Sequence, residues 1–138
     1  MNNVHVHSLR KHEILRKKQL ISLLFKSGKS VKGDFLRVVY ASLKTDAHIV
    51  QRVPAILFAV SKKTVPSAVR RNRVKRMMRE AYRLEKSPGQ SNRKTPGDSN
   101  TGEMLCIAFL YMRRGKILPR LGEFREEIRI LLDQITVS

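Results

Sequence analysis

The chain has 138 residues, of which 29 are Lys or Arg and 11 are Asp or Glu, giving a formal charge of +18 at pH 7. That length holds one core of a few packed elements and excludes two independent ones, so residues 1–138 read as a single domain. Such self-repulsion makes a polyanion the expected partner, nucleic acid before a membrane surface, and no stretch approaches the roughly 20 apolar residues of a spanning helix.

The opening residues, "MNNVHVHSLRKHE", lack the continuous apolar core of a signal peptide, and residues 1–15 read as a basic tail. His5, His7 and His12 fall in it with no Cys or carboxylate at ligand spacing, so no metal site is expected there. In "RKKQLISLLFKS", Arg16 to Ser27, Leu20 and Leu24, and Ile21 and Phe25, recur at i, i+4, which predicts an amphipathic helix ended by Gly28. "DFLRVVYASL", Asp34 to Leu43, predicts a strand with Leu36, Val38 and Tyr40 on one face. "VPAILFAVS", Val53 to Ser61, is apolar nearly throughout and predicts a strand covered on both faces in the middle of a sheet.

From Ser67 to Leu84, Val74, Met77, Met78 and Ala81 mark the buried side of a long helix. Residues 86–103, with two Pro-Gly pairs, read as a flexible loop within the same domain. "MLCIAFLYM", Met104 to Met112, predicts a buried strand, and its Cys106 is the only cysteine, as suits a reducing cytosol. Leu121, Phe124, Ile128, Leu131, Leu132 and Ile135 form the stripe of a closing helix that begins near Pro119. The order is helix, strand, strand, helix, strand, helix, which points to an α+β fold, a two-layer α/β sandwich with helices covering a small sheet.

The long helix carries the functional signal. Between Ser67 and Arg83 stand seven Lys or Arg and one Glu, and Asn72, Arg76, Arg79 and Arg83 form a stripe opposite the core side. Lys75 and Arg73 flank that stripe, Arg70 and Arg71 sit near the helix start, and Lys62 and Lys63 precede it. A solvated helix face normally mixes signs to gain i,i+4 pairing, whereas this one stacks like charges at that spacing. Guanidinium forks fit phosphate oxygens, and an Asn amide can address a ribose 2′-OH or a base edge.

"AVRRNRVKRMMREAYR" resembles the Arg-Asn-Arg signature helix of the protein subunit of bacterial ribonuclease P, and "FAVSKKTVPSAVRRNRVKRMMRE" matches that family's strand, turn and helix as a unit. The likeness extends back through "LISLLFKSGKSV" and forward through "MLCIAFLYMRRG". It implies a small mixed sheet with a left-handed βαβ crossover, similar to a domain of certain ribosomal proteins and translation factors. It also implies a division of labour: the RNA subunit supplies the active site and its Mg²⁺, and the protein, binding no cofactor itself, contacts that RNA and the 5′ leader of precursor tRNA. Lys62, Lys63, Arg70, Arg71, Asn72, Arg73, Lys75, Arg76 and Arg79 become the RNA-binding set. Leader RNA in the family lies in a cleft between the first helix and the sheet. Phe25 matches a cleft aromatic, Ile21 stands where many relatives have a second one, and Tyr40 is the expected strand counterpart. The other reading of Phe25 and Tyr40 is that both fill the core. A cytoplasmic setting and no stable protein partner complete what the resemblance implies.

No catalytic apparatus is visible. "GKS" at Gly28 to Ser30 lacks the upstream Gly of a phosphate-binding loop, since Leu23 stands there. Clustered carboxylates that could hold catalytic metals reduce to Glu126 and Glu127, expected on the exposed side of the last helix. A ribosomal or general RNA-binding protein is the alternative. A DNA-binding recognition helix is a further one, opposed by the want of a short helix before Ser67.

Overall fold

The structure is a computed structural model that describes residues 14–44, 54–86 and 103–137. Its first helix, α1, spans Lys18–Ser27 and buries Leu20 and Leu24, which lie one turn apart. It ends where the Gly28 N–H donates to Leu24 O at 2.8 Å. The chain then forms a hairpin of β1, Lys29–Lys32, and β2, Leu36–Lys44, in register from Lys29 opposite Tyr40 to Lys32 opposite Arg37. Sequence reading missed β1, because "KSVK" has one apolar residue and shows no burial pattern of its own. Its ladder with β2 is what makes it a strand.

There follow β3, Ala55–Val60; α2, Ala68–Glu85; β4, Glu103–Tyr111; and α3, Leu121–Val137. The sheet order is β1-β2-β4-β3, with β2 and β4 antiparallel over nine residues and β3 parallel to β4. The β3–α2–β4 connection is therefore a crossover, and the sheet is mixed.

Alternation along the strands builds two cores from one sheet. Leu36, Val38, Ile56, Phe58, Ile107 and Phe109 meet Val74, Met78 and Tyr82 of α2 and Phe124, Ile128 and Leu131 of α3. Val39, Leu43, Ala55, Cys106 and Ala108 point the other way and pack with Leu15, Leu20 and Leu24. Two helices thus layer one face, and α1 lies on the opposite one.

Two expectations are corrected. β3 is not in the middle of the sheet but at its edge; β2 and β4 are the central strands. Its unbroken apolar run reflects cover on both faces, which says nothing about lateral position. Its outer side is partly occupied by residues expected in the basic tail: Ile14 bridges to Ile56, and the Leu15 N–H donates to Ile56 O at 2.8 Å.

Glu127, expected on an exposed side, is 9% exposed and accepts hydrogen bonds from the backbone N–H groups of Phe35, at 2.8 Å, and Leu36, at 2.6 Å. Glu126 beside it is exposed, as expected. The helical stripe put Glu127 next to Ile128, and only the packing of α3 on the hairpin showed that a carboxylate was needed there. Two N–H groups at the start of β2 would otherwise lack a partner. Gly33 permits this approach, since an added Cβ would sit 2.6 Å from Glu127 Oε2.

Candidate nucleic-acid interface

The turn between β3 and α2 is tied to itself before it presents any charge. Ser61 Oγ accepts from the Thr64 N–H at 3.1 Å and lies 2.8 Å from Thr64 Oγ1, and the Val65 N–H donates to Ser61 O. Lys62 and Lys63 stand exposed on this braced turn. Ser67 then caps α2, its Oγ accepting from the Arg70 N–H at 3.4 Å.

Arg71 stands near the helix start, as expected, and is tied to the preceding turn. Its Nη1 donates to Val65 O at 3.0 Å and Pro66 O at 2.8 Å, so the guanidinium fastens the turn to the helix. Lys62 and Lys63 lie at the other end of the same turn.

On α2 itself, Val74, Met78 and Ala81 are buried as expected, and Tyr82 joins them, although the sequence stripe omitted it. Asn72, Arg73, Arg76 and Arg79 are exposed, with Arg70 and Lys75 half-buried at their flanks. Among the described residues, no carboxylate pairs with Arg70, Arg73, Lys75, Arg76 or Arg79. The C-terminal end of the helix is treated differently: Arg83 pairs with Glu80, holding the Glu80 carboxyl below its ordinary value, and Glu85 takes Arg125 from α3 at 2.7 Å.

Met77 is half-buried rather than core. It forms part of the floor of an open groove of about 590 Å³ between α2 and the β4–α3 connector. Arg70, Arg73 and Arg76 line one side of that groove; Lys116 and Arg120 line the other. The last two were missed in the sequence. "MRRGKILPR" held the signal, a basic run after a strand, but nothing local shows that it folds against α2.

On the other face of the sheet, Phe25 is 46% exposed on α1, which rules out the core-filling reading for it. Ile21 is half-buried beside it, packed against the α1-side core with Leu57 and Leu110. Tyr40 is separated from this pair. It alternates with Leu36 and Val38, so its ring packs against the α2–α3 side, whereas Val39 and Leu43 are the buried β2 residues of the α1-side core. Phe25 and Ile21 are brought together on one face of the sheet, with Tyr40 on the other.

Several acidic side chains are engaged within the fold. Besides Glu127, Glu80 and Glu85, Asp34 pairs with Arg113 at 3.2 Å, and Glu123 accepts from the Arg120 N–H at the start of α3. Arg113 also lies 4.9 Å above the Phe35 ring. Cys106 is fully buried, and burial pushes its thiol up to about 11. His5, His7, His12 and the greater part of the 86–103 loop lie outside the described residues.

A family model described as Ribonuclease P matches residues 9–94 of the chain. The ribonuclease P protein component of Chlorobium phaeobacteroides is 49% identical over 140 residues, spanning all of this chain and 94% of that protein. That of Chlorobaculum tepidum is 42% identical over 130 residues, spanning 93% of this chain and 82% of the relative. Among solved structures, the RNase P protein of Staphylococcus aureus superposes with a TM-score of 0.61 over 91% of this chain and 96% of its own, at 19% identity. The protein from Thermotoga maritima gives 0.60 over 88% and 96%, at 23% identity. At such identities the superpositions speak for the fold.

Proposed function

Because the chain belongs to the ribonuclease P protein family, we propose that it assists a catalytic RNA in the endonucleolytic removal of the 5′ leader from precursor tRNA. It does so by binding that RNA and the leader. As a protein component of this endoribonuclease, it contributes binding rather than chemistry. The Mg²⁺ is held by the RNA subunit, and the working compartment is the cytosol.

The observation that carries this reading is the division of charge along α2. Arg73, Arg76 and Arg79 face outward and, among the described residues, they and the half-buried Arg70 and Lys75 have no carboxylate partner, while at the other end of the same helix Glu80 and Glu85 are paired. A strip of unpaired like charge is costly to a free protein and is relieved by a phosphate backbone. Leader RNA would lie on the α1 side, where the exposed Phe25 ring can stack on a base and Ile21 adds apolar surface. Tyr40 is left out of that contact, because it packs on the opposite face.

The test is cleavage of precursor tRNA by the RNA subunit at low Mg²⁺, with and without this protein. The protein should restore correct 5′ maturation and should leave precursor intact when the RNA subunit is omitted. Specific cleavage by the protein alone, or no effect on the RNA, would overturn the reading.

A further inference from the structure

We infer that the groove between α2 and the β4–α3 connector is a second wall of the RNA-subunit contact, in which Lys116 and Arg120 meet backbone phosphates of the same RNA strand that lies on α2. The inference rests on the functional reading above and extends it to residues outside the signature helix. The groove has rims of one sign, with Arg70, Arg73 and Arg76 facing Lys116 and Arg120. Like charges are thus brought to one opening from two separate elements, and among the described residues none of the five has a carboxylate partner.

The nearest acid in sequence, Glu123, turns back to accept from the Arg120 backbone N–H, which leaves the Arg120 guanidinium uncommitted. Lys116 follows Gly115, whose φ of 124° is a backbone conformation that disfavours any side chain, so a glycine turn sets where Lys116 stands. Between the rims, Met77, Leu118 and Leu121 supply an apolar floor. Charged rims over an apolar floor suit a nucleotide chain, whose phosphates seek cations while its sugars and base faces do not.

Continuity selects the occupant. Arg76 belongs both to the exposed stripe of α2 and to the groove, so a strand tracking the stripe runs directly into it. The groove lies on the α2–α3 side, whereas Phe25 and Ile21 lie on the α1 side, so leader RNA on α1 would not compete for it.

The experiment measures binding of the RNA subunit over a series of salt concentrations for the unaltered protein, the double variant K116A/R120A, the charge-retaining K116R/R120K, and R129A as a control on an exposed part of α3. K116A/R120A should bind at least about tenfold more weakly at moderate salt. Its log–log salt slope should be shallower by about 1.4 to 1.8, the sum expected for two lost phosphate contacts. K116R/R120K should keep the original slope, and R129A should change it little. Thermal melts check that the variants remain folded; both side chains are exposed, so melting points should be unchanged.

An unaltered slope and affinity in K116A/R120A, with the unaltered protein binding normally, would overturn the groove while leaving the functional reading intact. Failure of the unaltered protein to bind the RNA subunit would overturn the reading itself, and the groove with it. A fall in the ratio of precursor to mature tRNA affinity in K116A/R120A would assign the groove to the leader, against the inference.

Discussion

The two faces of the sheet are built from the same four strands, yet they meet solvent with opposite chemistry. On the α1 side the aromatic Phe25 stands open beside the half-buried Ile21. On the α2–α3 side the open feature is a groove rimmed by Arg and Lys. Strand alternation supplies an apolar inner surface to both, so the strands do not decide the difference. The covering helices do: α1 leaves Phe25 open beside Ile21, and α2 turns out cations whose opposite side is already committed to the core. In the proposed function, one thin sheet holds two kinds of RNA contact back to back, one suited to stacking and one to phosphate.

On the α2–α3 side the largest loss of stability is expected at Glu127. Replacing it with Ala strands the N–H groups of Phe35 and Leu36 and should lower stability by about 2 to 4 kcal/mol, measured by denaturant unfolding. Glu127→Gln should lose less, because both bonds go to one oxygen, which an amide can supply. Equal losses for the two would show that charge, not hydrogen bonding, holds the hairpin.

The phosphate role proposed for the same side is tested by R76A/R79A. Binding to the RNA subunit should weaken by about 2 to 3 kcal/mol at low salt, with a shallower salt slope and an unchanged melting point. An unchanged slope would return these arginines to a merely solvated face.

The contrast between faces becomes sharpest in the two aromatics that the sequence could not tell apart. Phe25→Ala should weaken holoenzyme binding of precursor tRNA by about 1 to 3 kcal/mol, leave mature tRNA binding alone, and cost little stability because the ring is half in solvent. Tyr40→Ala should do the reverse. It should destabilise the domain, by less than the roughly 3 to 5 kcal/mol of a fully buried ring, with the affinity ratio preserved. If Tyr40→Ala lowered the ratio and Phe25→Ala did not, the assignment of the leader to the α1 side would fall.

The smallest effect is expected at the paired end of α2. Arg83→Ala removes the solvent-screened partner of Glu80 and should change stability only slightly, by denaturant unfolding, and RNA affinity hardly at all. A loss comparable to that of R76A/R79A would mean that the interface runs the whole helix.

The sequence by itself determined the helices α1, α2 and α3, three of the four strands and the basic stripe. Each of these is written in local spacing: Leu20 with Leu24, Val74 with Met78 and Ala81, Asn72 with Arg76 and Arg79. The family likeness was legible for a similar reason, because the Arg-Asn-Arg helix and its preceding turn are contiguous. Tertiary structure alone decided what depends on partners distant in the chain. β1 exists through its ladder with β2; β3 lies at the edge although its residues read as central; and Glu127 is buried because two N–H groups some 90 residues away lack any other acceptor. Tyr40 faces away from Phe25 because alternation along β2 fixes the face of each side chain, and only the placement of α1 reveals which face that is. Lys116 and Arg120 share a groove with Arg70, Arg73 and Arg76 because the β4–α3 connector lies beside α2. Periodicity encodes which side of an element is apolar, whereas the choice of neighbour is made by packing across loops, and no short window of sequence contains it.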